Sequence, residues 1–308
     1  HLLVLFKQNN GKLQHIQEST FELEKKIQKI TEDNLKQIFD LEFVKSEFQV
    51  TSEFRIDTLA FDKESSSFVI IEYKNGRDKG LMTQGLAYLS TMLDRHSDFI
   101  TEYNERLNKN LKKTDVDKSQ SKIIFISSSF DKNIIQASNL DLPIELWKVQ
   151  LYENNMIQYL SISRNSKTST KLPKFSGGGT FEKITRELKT YDEEYHYNRR
   201  TSAKTKHLYQ EIKKRILLLD NNIELIIRKK YIAFKTNYNF VYINLKKSLI
   251  HVDISMKQKE VEDPKNLIRN MEGIGHYGAG SSRITITDES DIPYMMGLVE
   301  QSYSKSMK

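Results

Sequence analysis

At 308 residues, with 38% hydrophobic and 10% aromatic content, the chain is long enough for two ordinary domains and too apolar to be disordered. It contains no cysteine, which excludes disulfides, thiolate nucleophiles and thiolate zinc sites and suits a reducing cytoplasm. Forty-eight Lys and Arg against 41 Asp and Glu leave a net charge of +7, a balance that fits a polyanion partner as well as a plain lysine-rich surface.

The N-terminal HLLVLFKQNN is too short an apolar run, without a small-residue cleavage site, to read as a signal peptide. No run of about 18 apolar residues follows, so no membrane partner is expected. Residues Thr20 to Phe39 carry Phe21, Leu23, Ile27, Ile30, Leu35 and Ile38 largely on one helical face, which predicts a helix. SEFQVTSEFRIDTLAFD then alternates and is rich in β-formers, and SSSFVIIEYKNG follows as a second strand after a polar turn. KGLMTQGLAYLSTMLDRHSDFITEYNERL reads as one or two helices, with Leu81, Leu86, Leu89 and Leu93 as a core stripe. SKIIFISSS suits a central strand, NIIQAS begins a helix, and PIELWKVQLYENNMIQYLSIS supplies one or two closing strands.

This order predicts an α/β domain with a mixed sheet flanked by helices over residues 1–162. Periodicity is lost from Ser163 to Gly179, and residues 163–203 read as a linker and connecting helix. Residues 204–308 read as a small basic α+β domain: an amphipathic helix, three or four short strands, a helical NLIRNMEG, a Gly-rich loop, the strand RITIT and a closing helix.

The chemistry concentrates in RIDTLAFDKESSSFVIIEYKNG, Arg55 to Gly76. With DKESSS as the turn of an antiparallel hairpin, Phe61 faces Phe68, and counting outward sets Asp57 opposite Glu72. Opposed residues have Cβ atoms about 4.5–5.5 Å apart and point to one face, which Lys74 shares through the two-residue period. Two opposed carboxylates in an apolar strand pair repel, and a divalent cation between them removes the conflict. Mg²⁺ is the hard, oxygen-liganded candidate, with Mn²⁺ able to substitute. The plain alternative is a wet sheet face with a surface ion pair at Lys74.

In their joint order these elements resemble the PD-(D/E)XK nuclease superfamily, over about residues 15–160. IDTLAFD and VIIEYKNG look like its core motifs, with Asp57, Glu72 and Lys74 in the catalytic positions. ELEKKIQKITEDNL resembles the leading helix of the branch that includes archaeal-type mismatch endonucleases, where a Glu stands ten residues before an Asn. Glu24 and Asn34 match that spacing, and Glu22 and Glu32 are competing acids. QGLAYLSTML resembles the Gln-x-x-x-Tyr element of RecB-like members, with Gln84 and Tyr88 at i and i+4 on one helix face. The resemblance implies a restriction-endonuclease-like sheet, metal held by Asp57 and Glu72 with Glu24 in support, and Lys74 and Gln84 assisting the reaction. It implies cleavage of DNA in repair or in defence against foreign DNA, and is compatible with a homodimer. A non-catalytic nucleic-acid-binding or assembly protein retaining the fold is the alternative, as is an RNA-directed nuclease. The second half, through YIAFKTNYNFVYI, GIGHYGAG and LVEQSY, resembles an uncharacterised bacterial domain that often follows such nuclease domains.

Other signals are weaker. GIGHYG satisfies G-x-G-x-x-G but lacks the strand-before, helix-after setting of a dinucleotide site, so a tight glycine loop is the better reading. His276 in that loop is a candidate phosphate contact. In YDEEYHYNRR, around His196, residues Tyr195, Tyr197, Arg199 and Arg200 offer stacking and phosphate pairing, against a plain mixed-charge helix. Lys246 and Lys247 at a strand turn read as solubilising, and Trp147 reads as core or sheet-edge packing.

Overall fold

The computed structural model describes residues 4–19, 24–74, 76, 80–137, 142–162, 184, 187–188, 191–197, 201–274 and 280–307. The chain divides into two compact units, His1–Thr190 and Tyr191–Lys308. Among the described residues no helix is long and apolar enough to cross a membrane.

The first unit opens with a hairpin that the sequence reading passed over, β1 (Leu5–Asn9) and β2 (Lys12–Ile16). Its turn is Asn10-Gly11, both with positive φ, the two-residue geometry that matches strand twist. After β3 (Glu18–Ser19), the predicted single helix is two: α1 (Glu24–Asp33) and α2 (Leu35–Phe39). They part at Asn34, whose side-chain amide bonds back to the Ile30 carbonyl at 2.8 Å. The predicted strand starting at Ser46 is likewise two strands, β4 (Glu42–Gln49) and β5 (Arg55–Asp62), paired antiparallel. Thr51 closes the turn between them, its hydroxyl accepting from the Phe54 N–H at 3.1 Å.

β6 (Ser67–Lys74) pairs antiparallel with β5 in the expected register, Phe61 opposite Phe68. α3 (Leu81–Asp94) and α4 (His96–Leu107) carry the chain over to β7 (Lys122–Ser127), parallel to β6. α5 (Lys132–Ala137) leads to β8 (Ile144–Tyr152), parallel to β7, and β9 (Met156–Ser161) folds back on β8. Parallel neighbours need such crossovers, so the sheet is mixed and helix-flanked, in the order β3-β8-β7-β6-β5-β4 with β9 also on β8. β6 and β7 are apolar along their length because both faces are covered. Phe61, Phe68, Ile70 and Phe125 pack on the α3–α4 side, while Ala60, Val69, Ile71 and Ile124 pack with Ile27 and Leu35 of α1 and α2. Trp147 packs edge-on to Phe39, the structural role expected of it.

The second unit begins with the short helix α6 (Glu193–His196), followed by α7 (Ala203–Leu217). Its antiparallel sheet runs β10 (Glu224–Ile227), β11 (Ile232–Lys235), β12 (Asn239–Leu245), β13 (Ile250–Ile254), then β15 (Ser282–Ile286) and the edge strand β14 (Arg269–Asn270). α8 (Ile292–Ser306) closes the chain. NLIRNMEG is not helical as expected. Asp263 takes the Ile268 N–H at 2.8 Å and Asn266 has positive φ, so the segment turns and delivers Arg269 and Asn270 to the sheet edge.

Candidate active site

Pairing between β5 and β6 runs from Asp62 opposite Ser67 to Thr58 opposite Ile71. Beyond that point the two acids complete the strands themselves. The Asp57 N–H donates to Glu72 Oε1 at 2.9 Å, and the Tyr73 N–H donates to Asp57 Oδ2 at 3.0 Å. Each carboxylate thus rests on the other strand's backbone, and the two lie on the α3 side of the sheet. Glu72 is only 2% exposed, while Asp57 and Lys74 are half-buried.

Burial pushes the Glu72 carboxyl up to about 8, the neighbouring Asp57 charge adding to it against the Asp57 N–H and the Lys74 ammonium. Asp57 is raised for the same first reason, with the charges of Glu47 and Glu24 adding to it and the Tyr73 N–H and Lys74 opposing. The two acids titrate as a pair, the first-order cause being their shared withdrawal from water.

α3 reaches this pair because of Gly85. A Cβ there would stand 3.0 Å from the Phe125 ring, so glycine lets the helix lie close on β7. Phe125 is the strand partner of Glu72, and Gln84, the residue before Gly85, points its amide at Glu72 Oε2 at 3.4 Å. The same amide donates to the Tyr88 hydroxyl at 3.0 Å, which in turn donates to the Arg55 carbonyl at 2.9 Å. Gln84 and Tyr88 therefore share the helix face expected, and Tyr88 anchors α3 to β5. Burial, then the Glu72 charge, lift the Tyr88 hydroxyl to about 12, so it stays protonated.

Glu24 is exposed at the first residue of α1, close enough to act on Asp57 by repulsion. Glu32 serves the opposite face of the sheet. It accepts from the Thr58 hydroxyl at 2.5 Å and from Gln28 at 3.0 Å. Gln28 also donates to Ser46 Oγ at 3.1 Å and to the Asp57 carbonyl at 2.9 Å, fixing the backbone behind the site. Glu22, Arg199, Arg200 and His276 lie outside the described residues. His196 is buried with Nε2 2.8 Å from the Arg228 carbonyl, and Tyr197 packs on Tyr209, so both are structural in place.

One acid escaped the sequence reading. Glu47 falls between the pairs Ser46–Thr58 and Phe48–Ile56, which places it across β4–β5 from Asp57. Its φ is +50°, and its carboxylate is 3.0 Å from Arg55 Nε. Its charge raises both Asp57 and Glu72. Among the described residues no group of three or more His, Cys, Asp or Glu is arranged to hold a metal ion.

Comparison with known proteins adds a relative along nearly the whole chain. An uncharacterised protein of Haemophilus influenzae is 41% identical over 300 residues, covering 97% of this chain and 98% of that protein. The chain belongs to the family of that protein. Residues 193–306 also match a domain of unknown function, DUF5655, which coincides with the second unit. No solved structure matches the chain.

Proposed function

We propose that this protein is a Mg²⁺-dependent nuclease of the PD-(D/E)XK type, hydrolysing phosphodiester bonds in DNA. The observation that carries the reading is the opposed Asp57 and Glu72 with Lys74 on one buried sheet face. The donor set fits the ion: two hard carboxylates whose charges lack a sufficient counterion, and Mg²⁺ is commonly held by one or two carboxylates plus water and substrate phosphate. Asp57 and Glu72 would hold it, with Glu24 in support. When bound it supplies Lewis acidity and an acidified water.

The chain's own residues do the rest. Lys74 places a positive charge beside the acids, where negative charge builds on a phosphoryl group under attack. Gln84, held by Tyr88, orients the Glu72 carboxylate. Gln28 and the Glu32 network keep the Asp57 backbone from shifting. A role in DNA repair or in restriction of foreign DNA follows from the superfamily resemblance, and the cytoplasm is the compartment the cysteine-free composition suits.

The net charge of +7 also fits a second reading, a nucleic-acid-binding or assembly protein that retains the fold without cleaving. Incubating the full chain with single-stranded, duplex and branched DNA and with RNA, in Mg²⁺ or Mn²⁺, separates the two. Cleavage that Asp57→Ala and Lys74→Ala abolish supports the nuclease. Binding without cleavage across the panel supports the alternative, and cleavage of RNA alone redirects the substrate.

A further inference from the structure

The second unit's sheet has one face packed on helices, through Ile243, Ile250 and Val252 of the strands and Ile212, Met295 and Val299 of α7 and α8. Side-chain alternation gives the opposite face to two cross-strand rows. One runs Tyr242, Asp253, Arg283, Arg269, and the next runs Asn244, His251, Thr285.

In the first row Asp253 is fully buried and grips Arg283 through two bonds of 2.6 and 2.7 Å, so that pair is internally neutral. The charge remaining around His251 is cationic, from Arg269 and Lys246, both exposed. In the second row His251 Nδ1 lies 3.2 Å from the Thr285 hydroxyl. Beside it, Asn244 is 6% exposed, and its side-chain N–H group, directly across from His251, has no hydrogen-bond partner among the described residues. An amide donor left unpaired in the interior costs about 1–3 kcal/mol.

We infer that this face binds a phosphate group, with Asn244 donating to it, His251 beside it and Lys246 and Arg269 supplying charge. The site is independent of the Asp57–Glu72 pair and lies wholly in the second unit. It gives the buried amide the acceptor it lacks, and the donor-and-cation lining selects an anion over a neutral ligand. The charged and titratable groups that act on His251 agree. Burial first, then Arg283, Lys246 and Arg269, against Asp253, hold its pKa below the ordinary histidine value, so an arriving anion is the group that would restore the proton.

The test follows the imidazole signals of the full chain by NMR, with the His251 signal assigned as the one missing in His251→Gln among the seven histidines. The probes are inorganic phosphate and a short duplex oligodeoxynucleotide. The expected result is a saturable shift of the His251 signal with at least one probe, and an upward move of its titration midpoint. The tighter of the two probes identifies free phosphate or a nucleic-acid backbone as the source. Asn244→Ala weakens binding about tenfold without lowering the melting temperature, since it removes an unsatisfied donor. Because Lys246 and Arg269 are on the surface, the double variant Lys246→Ala, Arg269→Ala checks the charge contribution without risk to the core. No saturable shift with either probe overturns the inference, as does a shift that Asn244→Ala and the double variant leave unchanged.

Discussion

The two faces of the β5–β6 strand pair hold buried polar groups of opposite character. On the α1 side, Glu32, Thr58, Gln28 and Ser46 answer one another, and Thr31 joins through bonds to the Ile27 carbonyl and the Tyr159 hydroxyl, both 2.8 Å. On the α3 side, one β-residue away, Asp57 takes the Tyr73 N–H, Glu72 takes the Asp57 N–H and a longer contact from Gln84, and the two acids repel each other. Buried polar groups that satisfy each other make architecture, while buried charges short of a counterion mark a place where something else belongs. Substitutions on the two faces should therefore move different observables.

The largest effect is expected on the α3 side and on activity. Asp57→Ala and Lys74→Ala should each lower single-turnover cleavage of DNA in Mg²⁺ by about 10³-fold, in line with loss of a preorganised charge at a phosphoryl centre. Thermal melting of Lys74→Ala should stay near that of the parent, while Asp57→Ala trades the lost acceptor of the Tyr73 N–H against relief of the repulsion with Glu72. Cleavage surviving Lys74→Ala would break the assignment of chemistry to this face.

On the α1 side the effect should be on stability. Glu32→Ala strips the acceptor from the Thr58 hydroxyl and Gln28 amide and should cost about 2 kcal/mol in urea unfolding. That network also positions the Asp57 carbonyl through Gln28, so any loss of cleavage in this variant should follow its loss of fold as urea is titrated in.

Glu72→Gln should reverse the sign. The folded carboxyl binds its proton up to about pH 8, against an ordinary value of 4.5 in the unfolded chain. A raised acid leaves the fold at full stability below 4.5 and weakens it progressively as pH rises from there to 8. The neutral amide escapes that loss, so the variant should be more stable than the parent by on the order of 4 kcal/mol at pH 8, with the gain shrinking toward pH 4.5. Unfolding measured at both pH values checks it, and a gain that is the same at both would remove the charge argument.

Much of this site was legible because period-2 alternation and a countable turn set the β5–β6 register, and a helix face set Gln84 with Tyr88. The two acids' identity as opposed neighbours needed nothing more. What stayed hidden depended on breaks that apolar content does not announce. The turn at Val50 to Phe54 splits one β-rich run into two strands, and only that split carries Glu47 across from Asp57. The Asn10-Gly11 hairpin had a direct signal in its dipeptide, obscured by the apolar residues before it. Asn244 and His251 became neighbours only through the β12–β13 register, across a turn with no distinctive spacing.

The smallest effect should separate positioning from scaffolding within the α3 side itself. Gln84 and Tyr88 sit in one chain of bonds, from Glu72 through the amide to the hydroxyl and on to the Arg55 carbonyl. Gln84 is half-exposed, and Gln84→Ala removes its contact with Glu72 while leaving the Tyr88 hydroxyl bonded to β5. Cleavage should fall about tenfold with unfolding unchanged, because a hydrogen bond to a charged group is lost at the reacting site. Tyr88→Phe keeps the ring packed on Phe54 but drops the bond to Arg55, so it should cost about 1 kcal/mol of stability. If the phenylalanine variant lost activity as much as the alanine one, Gln84 would owe its effect to where Tyr88 holds it, and the positioning role would pass from the amide to the hydroxyl.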